Sequence, residues 1–286
     1  MGQVVLALLV IGVLAIVVVI VRHNLRLRRA RAEAATISPA ERDRLFGLLA
    51  PPPGEAPSVV LLVPDHSAPP DTAPGLTRVG GHPDSGFLAP TDADFLIQVR
   101  LSHRGLPPVW HGRLVGAWLD DDVQPQVRSR PGAASTTSPA STDEPAVRPL
   151  RLIEVPVRLP AEHSNDPDEV APDPTAPVNL LAACPDLDRA LHAWGDDPEG
   201  VLGALLTGGT GGHETDAVDL GFVGGCPVLI QNPHDDAVCP TCGGVMTFLF
   251  QVGDLFGDCR LGDAGVLYVY GCDAHPDECR GFVDCH

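Results

Sequence analysis

The sequence predicts an α+β protein, with two related β-rich halves preceded by one transmembrane helix. Three observations carry that reading. An unbroken apolar run lies near the N-terminus, strand-like stretches alternate with short helical ones, and several motifs recur at a fixed spacing.

The apolar run Val4–Val21 holds eighteen residues without a charge. As a helix it spans about 27 Å, close to the hydrocarbon thickness of a bilayer. A lone strand in lipid cannot satisfy its backbone, so the run reads as a helix despite its valines. Only Met1, Gly2 and Gln3 precede it, and "RHNLRLRRAR" follows, the reverse of a signal peptide's order. The positive-inside rule then places everything after residue 22 in the cytoplasm. Residues 1–35 are thus expected to be an anchor with a basic juxtamembrane segment. The membrane is the first expected partner, and the protein is expected to be single-pass in the cell membrane.

That placement bears on the cysteines, because a reducing compartment disfavours stable disulfides. Cys184, Cys226, Cys239, Cys242, Cys259, Cys272, Cys279 and Cys285 then read as metal ligands, buried thiols or redox groups. Charge excludes one class of partner. All nineteen basic residues are arginine, the net charge is −18, and the residues beyond 35 set 14 Arg against 36 Asp and Glu. A body so acidic repels phosphate backbones, which argues against nucleic acid. "LDDDV" and "HDDAV" lack the alternating ligands and terminal glutamate of a calcium loop.

Along the chain, "SPAERDRLFGLLAPPP" announces a helix. Ser38 caps it, Glu41 completes a capping box and Pro51–Pro53 stop it. A strand follows at Ser58–Val63, and residues 36–126 form the expected first half. The Pro/Ser/Thr-rich residues 127–148 read as a flexible insert, and "HSNDPDEVAPDPTAP" at 163–177 as another. Between them "LRLIEVPVRL" reads as a strand near a sheet edge, because Pro156 interrupts it. Helices are expected from Pro185 to Trp194, and from Pro198, capped by Asp197, to before Gly208. Residues 149–286 make the second half, with a Cys-rich knuckle region.

The internal similarity sets "RVGGHPD" at 78–84 against "FVGGCPV" at 222–228, an offset of 144. "FLIQV" at 95–99 answers "FLFQV" at 248–252, and "GRLVGAW" at 112–118 answers "GVLYVYG" at 265–271, both offset by 153. The second copy therefore holds nine extra residues, and these bring Cys239-Pro240-Thr241-Cys242. The order GG-x-P, P-x-C-x-x-C-G, M-x-F-L-x-Q-V and G-D-x-G-x-L-Y-V-Y-x-C-x-x-H resembles the YwqG-like family, a bacterial domain of unknown function. The resemblance covers roughly residues 38–286 and is most specific after residue 220. It implies antiparallel sheets from two related halves, and it implies no catalytic residues.

The Cys-x-x-Cys is followed by two glycines and a strand, so no helix N-terminus activates it as it would a thioredoxin-type dithiol. A metal reading asks for two more donors. The strand that leaves this knuckle returns through 266–270 to "GCDAHPDEC". Cys239, Cys242, Cys272 and His275 are the expected ligands of a structural Zn²⁺, with Cys279 the alternative fourth. A thiol role and unligated thiols remain the other readings. His213, His234 and His286 are available to a nucleophile, but no spacing selects among them. No G-x-S-x-G, H-E-x-x-H or Walker lysine appears. Two functions follow: a membrane-tethered, non-catalytic binding module for a protein or peptide partner, or a thiol- or zinc-dependent enzyme.

Overall fold

The centre of the fold is β1 (Ser58–Pro64), whose run of valine and leucine is buried on both faces: Val59, Leu61, Leu62 and Val63 are all within the core. Such an unbroken apolar strand suits a position covered on both sides. In the computed structural model, residues 2–49, 58–65, 77–84, 86–87, 89–132, 148–156, 184–195, 197–206, 221–231, 234, 236–253, 261 and 265–285 are described, with side chains of the first helix from residue 16 on. The remainder of the two inserts, "GGTGGH", His213, Cys259 and His286 lie outside the described residues.

Nine further strands complete the sheet. They are β2 (Arg78–Val79), β3 (Asp94–Arg100), β4 (Leu114–Leu119), β5 (Pro125–Arg130), β6 (Arg148–Pro156), β7 (Phe222–Val223), β8 (Thr247–Val252), β9 (Val266–Gly271) and β10 (Cys279–Asp284). Their order is β10-β9-β8-β7-β1-β6-β2-β3-β4-β5, and every pair is antiparallel. The first and last strands of that order meet. A Cβ on Gly281 of β10 would lie 2.8 Å from side-chain atoms of both Pro125 and Val127 on β5. The sheet is curled until it almost closes.

This corrects the expected fold class. In place of α+β sheets in two halves there is one ten-stranded antiparallel sheet, with four α-helices among the described residues. The physical reason is β6. Pro156 suggested an edge strand, but it falls at the end of the β1–β6 ladder, which runs from Ser58↔Pro156 to Pro64↔Leu150. A missing N–H costs little there. So β6 sits centrally between β1 and β2 and fuses what would have been separate sheets. β5 also extends to Arg130, into the stretch read as an insert.

Helix α1 (Gly2–Thr36) overturns the anchor reading. Among the described residues no helix is long and apolar enough to cross a membrane. Most of Val4–Val21 falls outside the described side chains. The helix instead continues to a docked end, where Ala30 and Ala34 are buried and α1 packs on α4 (Pro198–Leu206). The membrane partner, the single-pass localisation and the cytoplasmic placement fall with the anchor. So does the compartment argument about the cysteines.

Two of the other helices begin at a capping side chain. The Ser38 side chain accepts the Glu41 N–H at 3.2 Å and opens α2 (Pro39–Gly47). The Glu41 carboxylate turns to Arg44, so only half of the capping box forms. α3 spans Pro185–Leu191, and Asp197 accepts the Gly200 N–H at 3.0 Å at the start of α4.

The recurring motifs have a shared geometry. A bulge falls between Phe95 and Ile97 in β3 and between Phe248 and Phe250 in β8. It frees the carbonyl of the intervening leucine: Leu96 accepts from the Gly80 N–H at 2.9 Å, and Leu249 from the Gly224 N–H at 2.8 Å. Both glycines have positive φ, +71° and +81°. The third motif differs from its sequence alignment by one residue. Phe95 faces Trp118 and Phe248 faces Tyr270, so β4 and β9 correspond at an offset of 152, not 153. A one-residue slip exchanges the two faces of a strand, which is why the register matters.

Candidate metal centre

β8 and β9 pair with Thr247 opposite Gly271, so the turn that precedes β8 and the turn that follows β9 emerge side by side. The first turn is Cys239–Gly243. Its closing bond runs from the Gly243 N–H to the Cys239 carbonyl at 2.8 Å, and Gly243 takes φ +69°. A positive φ is cheap only for glycine, which accounts for the Gly after Cys242. The second turn is Cys272–Glu278. The His275 N–H donates to the Cys272 carbonyl at 3.2 Å, and the Cys272 N–H donates to the Glu278 carbonyl at 3.1 Å.

Together the turns gather Cys239, Cys242, Cys272 and His275, whose donor atoms all lie within 4.8 Å of one another. Cys242 Sγ and Cys272 Sγ are 3.7 Å apart. His275 Nδ1 is 3.7 Å from Cys239 Sγ and 3.6 Å from Cys272 Sγ. A tetrahedral zinc, with Zn–S of about 2.3 Å and Zn–N of about 2.0–2.1 Å, sets S···S edges of about 3.8 Å and S···N edges of about 3.6 Å. The recorded distances fit that figure. A disulfide would require about 2.0 Å, and none joins any described cysteine. This group can hold a metal ion, and it is the only such Cys/His/Asp/Glu group among the described residues.

The electrostatics favour the thiolate at Cys239 and oppose it at Cys272. Burial pushes the Cys239 thiol up, but the backbone N–H groups of Cys242 and Thr241 outweigh it, with the Cys272 and Cys242 thiols adding to them, and bring it down to about 6. Cys272 is raised, first by burial and then by its thiol neighbours, while the N–H groups of His275 and Ala274 oppose the rise. Cys239 and Cys272 are buried, His275 is half-buried and Cys242 is exposed.

Cys279 stands outside the group. Its thiol faces Arg113 and Ser129 at the β5–β10 seam, and burial pushes it up to about 12. Of the remaining described cysteines, Cys184 is buried against the Leu49 carbonyl, Cys285 donates to the Leu261 carbonyl, and Cys226 is exposed. His234 lies apart from the metal group. Its ring nitrogens are 3.0 Å from the Tyr270 hydroxyl and 3.3 Å from Asp284, and it stacks on Phe282 at 4.5 Å. These contacts tie His234 to the sheet, and none of them is with a cysteine.

Residues that support the ligands carry no motif. Asp273, inside the second knuckle, accepts from Trp110 Nε1 at 2.7 Å and from Thr247 Oγ1 at 2.9 Å. Asp277 pairs with Arg113, and Thr241 donates to Glu278 at 3.1 Å across the two knuckles. The acidic residues beside Cys272 and His275 were the one available signal, and charge alone does not name Trp110 or Arg113 as their partners. No family model, curated protein or solved structure matches the chain, so the likeness to the YwqG-like family rests on its motifs.

Proposed function

We propose that the chain is a non-catalytic binding module for a protein or peptide partner, with a structural Zn²⁺ held by Cys239, Cys242, Cys272 and His275. The observation that carries the reading is the closed donor set. Four donors lie within 4.8 Å of one another, three of their separations being those of a tetrahedral site, whereas a catalytic zinc keeps a position for water or substrate. Thiolate and imidazole donors favour zinc over magnesium or calcium, which take oxygen ligands. The net charge of −18 suits a partner with a basic surface. When bound, the metal supplies folding free energy by joining two turns that the sheet brings side by side.

The test is metal content and coordination of the purified chain. One zinc per chain is expected, with the absorption of tetrahedral thiolate ligation when cobalt replaces it. Cys239→Ser, Cys242→Ser, Cys272→Ser and His275→Ala should each lose metal and lower the unfolding temperature. A metal-free wild type with undiminished thermal stability would overturn the zinc reading. A folded, metal-loaded chain that loses a measurable turnover when the metal is exchanged would replace the binding module with an enzyme.

A further inference from the structure

The second knuckle is held from outside as well as by its ligands, and the outside contacts come from a part of the chain about 160 residues away. A 3₁₀ turn, Pro108–Trp110, brings a fully buried Trp110 against the end of β9. The approach is so close that a Cβ on Gly271 would lie 2.3 Å from the indole ring. Trp110 Nε1 donates to Asp273, the residue between ligand Cys272 and Ala274. Thr247, opposite Gly271 at the start of β8, donates to the other Asp273 oxygen. Arg113 stacks over Trp110, pairs with Asp277 on the same knuckle, and donates from Nε to Ser129 of β5 at 2.8 Å.

Segment 110–113 therefore reaches from the metal knuckle to the strand on the far side of the seam. We propose that Trp110 and Arg113 are positioning residues for the metal centre, fixing the Cys272–His275 turn in ligating geometry and coupling metal binding to closure of the β5–β10 seam. The proposal rests on the zinc reading above. Groups that orient a ligand turn alter metal affinity without touching the metal. Coupling between two sites is also reciprocal: if the closed seam favours metal, bound metal favours the closed seam by the same factor.

The experiment uses the full chain, with affinity for Zn²⁺ read by competition against a chromophoric chelator well below the unfolding temperature. Trp110→Phe keeps the ring and deletes the N–H; it should weaken zinc binding about 10–100-fold. Ser129→Ala, on β5 and in contact with no ligand, removes the Arg113 Nε acceptor and should weaken binding by a smaller, measurable factor. The cobalt spectrum of both variants should shift, which loss of stability alone would not cause. Should Trp110→Phe fail to fold, Arg113→Gln and Ser129→Ala decide in its place. Unchanged affinity and an unchanged cobalt spectrum in the folded variants would overturn the coupling while leaving the zinc site intact. A wild type that binds no zinc would fail at the earlier reading instead.

Discussion

Gln98 and Gln251 perform the same task at two places in one sheet. Each is fully buried, and each side-chain oxygen accepts a backbone N–H from the residue after the proline of a GG-x-P turn: Asp84 at 3.0 Å and Val228 at 2.8 Å. The glutamine, the bulge beside it and the positive-φ glycine form one unit, in which side chain and carbonyl together satisfy a turn that no strand pairs. Replacing either glutamine by leucine leaves a buried N–H unmet, at a cost of about 1–3 kcal/mol. Gln251→Leu should cost less than Gln98→Leu, because Gln251 Nε2 has no partner to lose. Urea unfolding of the two variants measures the difference, and equal or negligible losses would contradict the assignment.

Gly224 and His103 are in close contact across the sheet. A Cβ at Gly224 would sit 2.5 Å from His103 Nδ1, at a φ of +81°. Gly224→Ala should therefore destabilise the chain through both strain and collision, by about 1–3 kcal/mol. His103→Ala in the same chain should return the collision part alone. A double-mutant cycle isolates it, and strict additivity would show that the contact carries no energy.

His103 also sets a pH dependence. Burial lowers its affinity for the proton, Glu154 works against that, and Arg104 and His111 reinforce it. The folded value lies below the unfolded value of about 6.5, so the unfolded chain takes up the proton first on acidification. Its contribution is present above that value and is lost as pH falls through it. Urea midpoints at pH 7.5 and 5.5 should drop further for the wild type than for His103→Gln; equal drops would remove His103 from the cause.

The two tyrosines of the chain, Tyr268 and Tyr270, are both buried. Burial raises Tyr268 to about 12 and Tyr270 further, with Asp284 adding to each. Tyrosinate absorbance should stay flat through pH 10, where an exposed tyrosine is half ionised. It should then rise together with loss of the fold, and a separate early rise would show that one phenol reaches solvent.

Cys279→Ser should retain the metal, since its thiol lies at the seam, whereas His275→Ala should release it. Metal content of the two variants reads this directly, and the reverse result would move the fourth ligand to Cys279.

The grouping of Cys239, Cys242, Cys272 and His275 was legible because knuckle spacing and the β8–β9 hairpin are both local in sequence. Cys-x-x-Cys, Cys-x-x-His and the two apolar runs between them place four donors together without knowledge of the other strands. The sheet was not legible in the same way. Pro156 reads as an edge signal because pairing partners are invisible in one sequence; only the register with β1 shows that it falls at the ladder's end. The apolar run near the N-terminus reads as an anchor from its length, its lack of charge and its basic flank, whereas the docking of Ala30 and Ala34 on α4 depends on a helix more than 160 residues later. Trp110 reads from the sequence as a core residue, and its bond to the knuckle is not legible because its partner, Asp273, is equally remote.

The position of β1 has a consequence for how the chain is made. β1 emerges early from the ribosome, yet its two neighbours are β6, which begins at Arg148, and β7, which begins at Phe222. Until β6 is made its valines and leucines have no ladder on either side. The β2–β5 meander can form from neighbouring segments, but it cannot join β1 before β6 arrives. The six strands β1–β6 can therefore come together only once β6 has been made, and β7–β10 join the other side of β1 later still. Such long-range pairing makes folding slow and leaves an apolar strand open to other chains meanwhile.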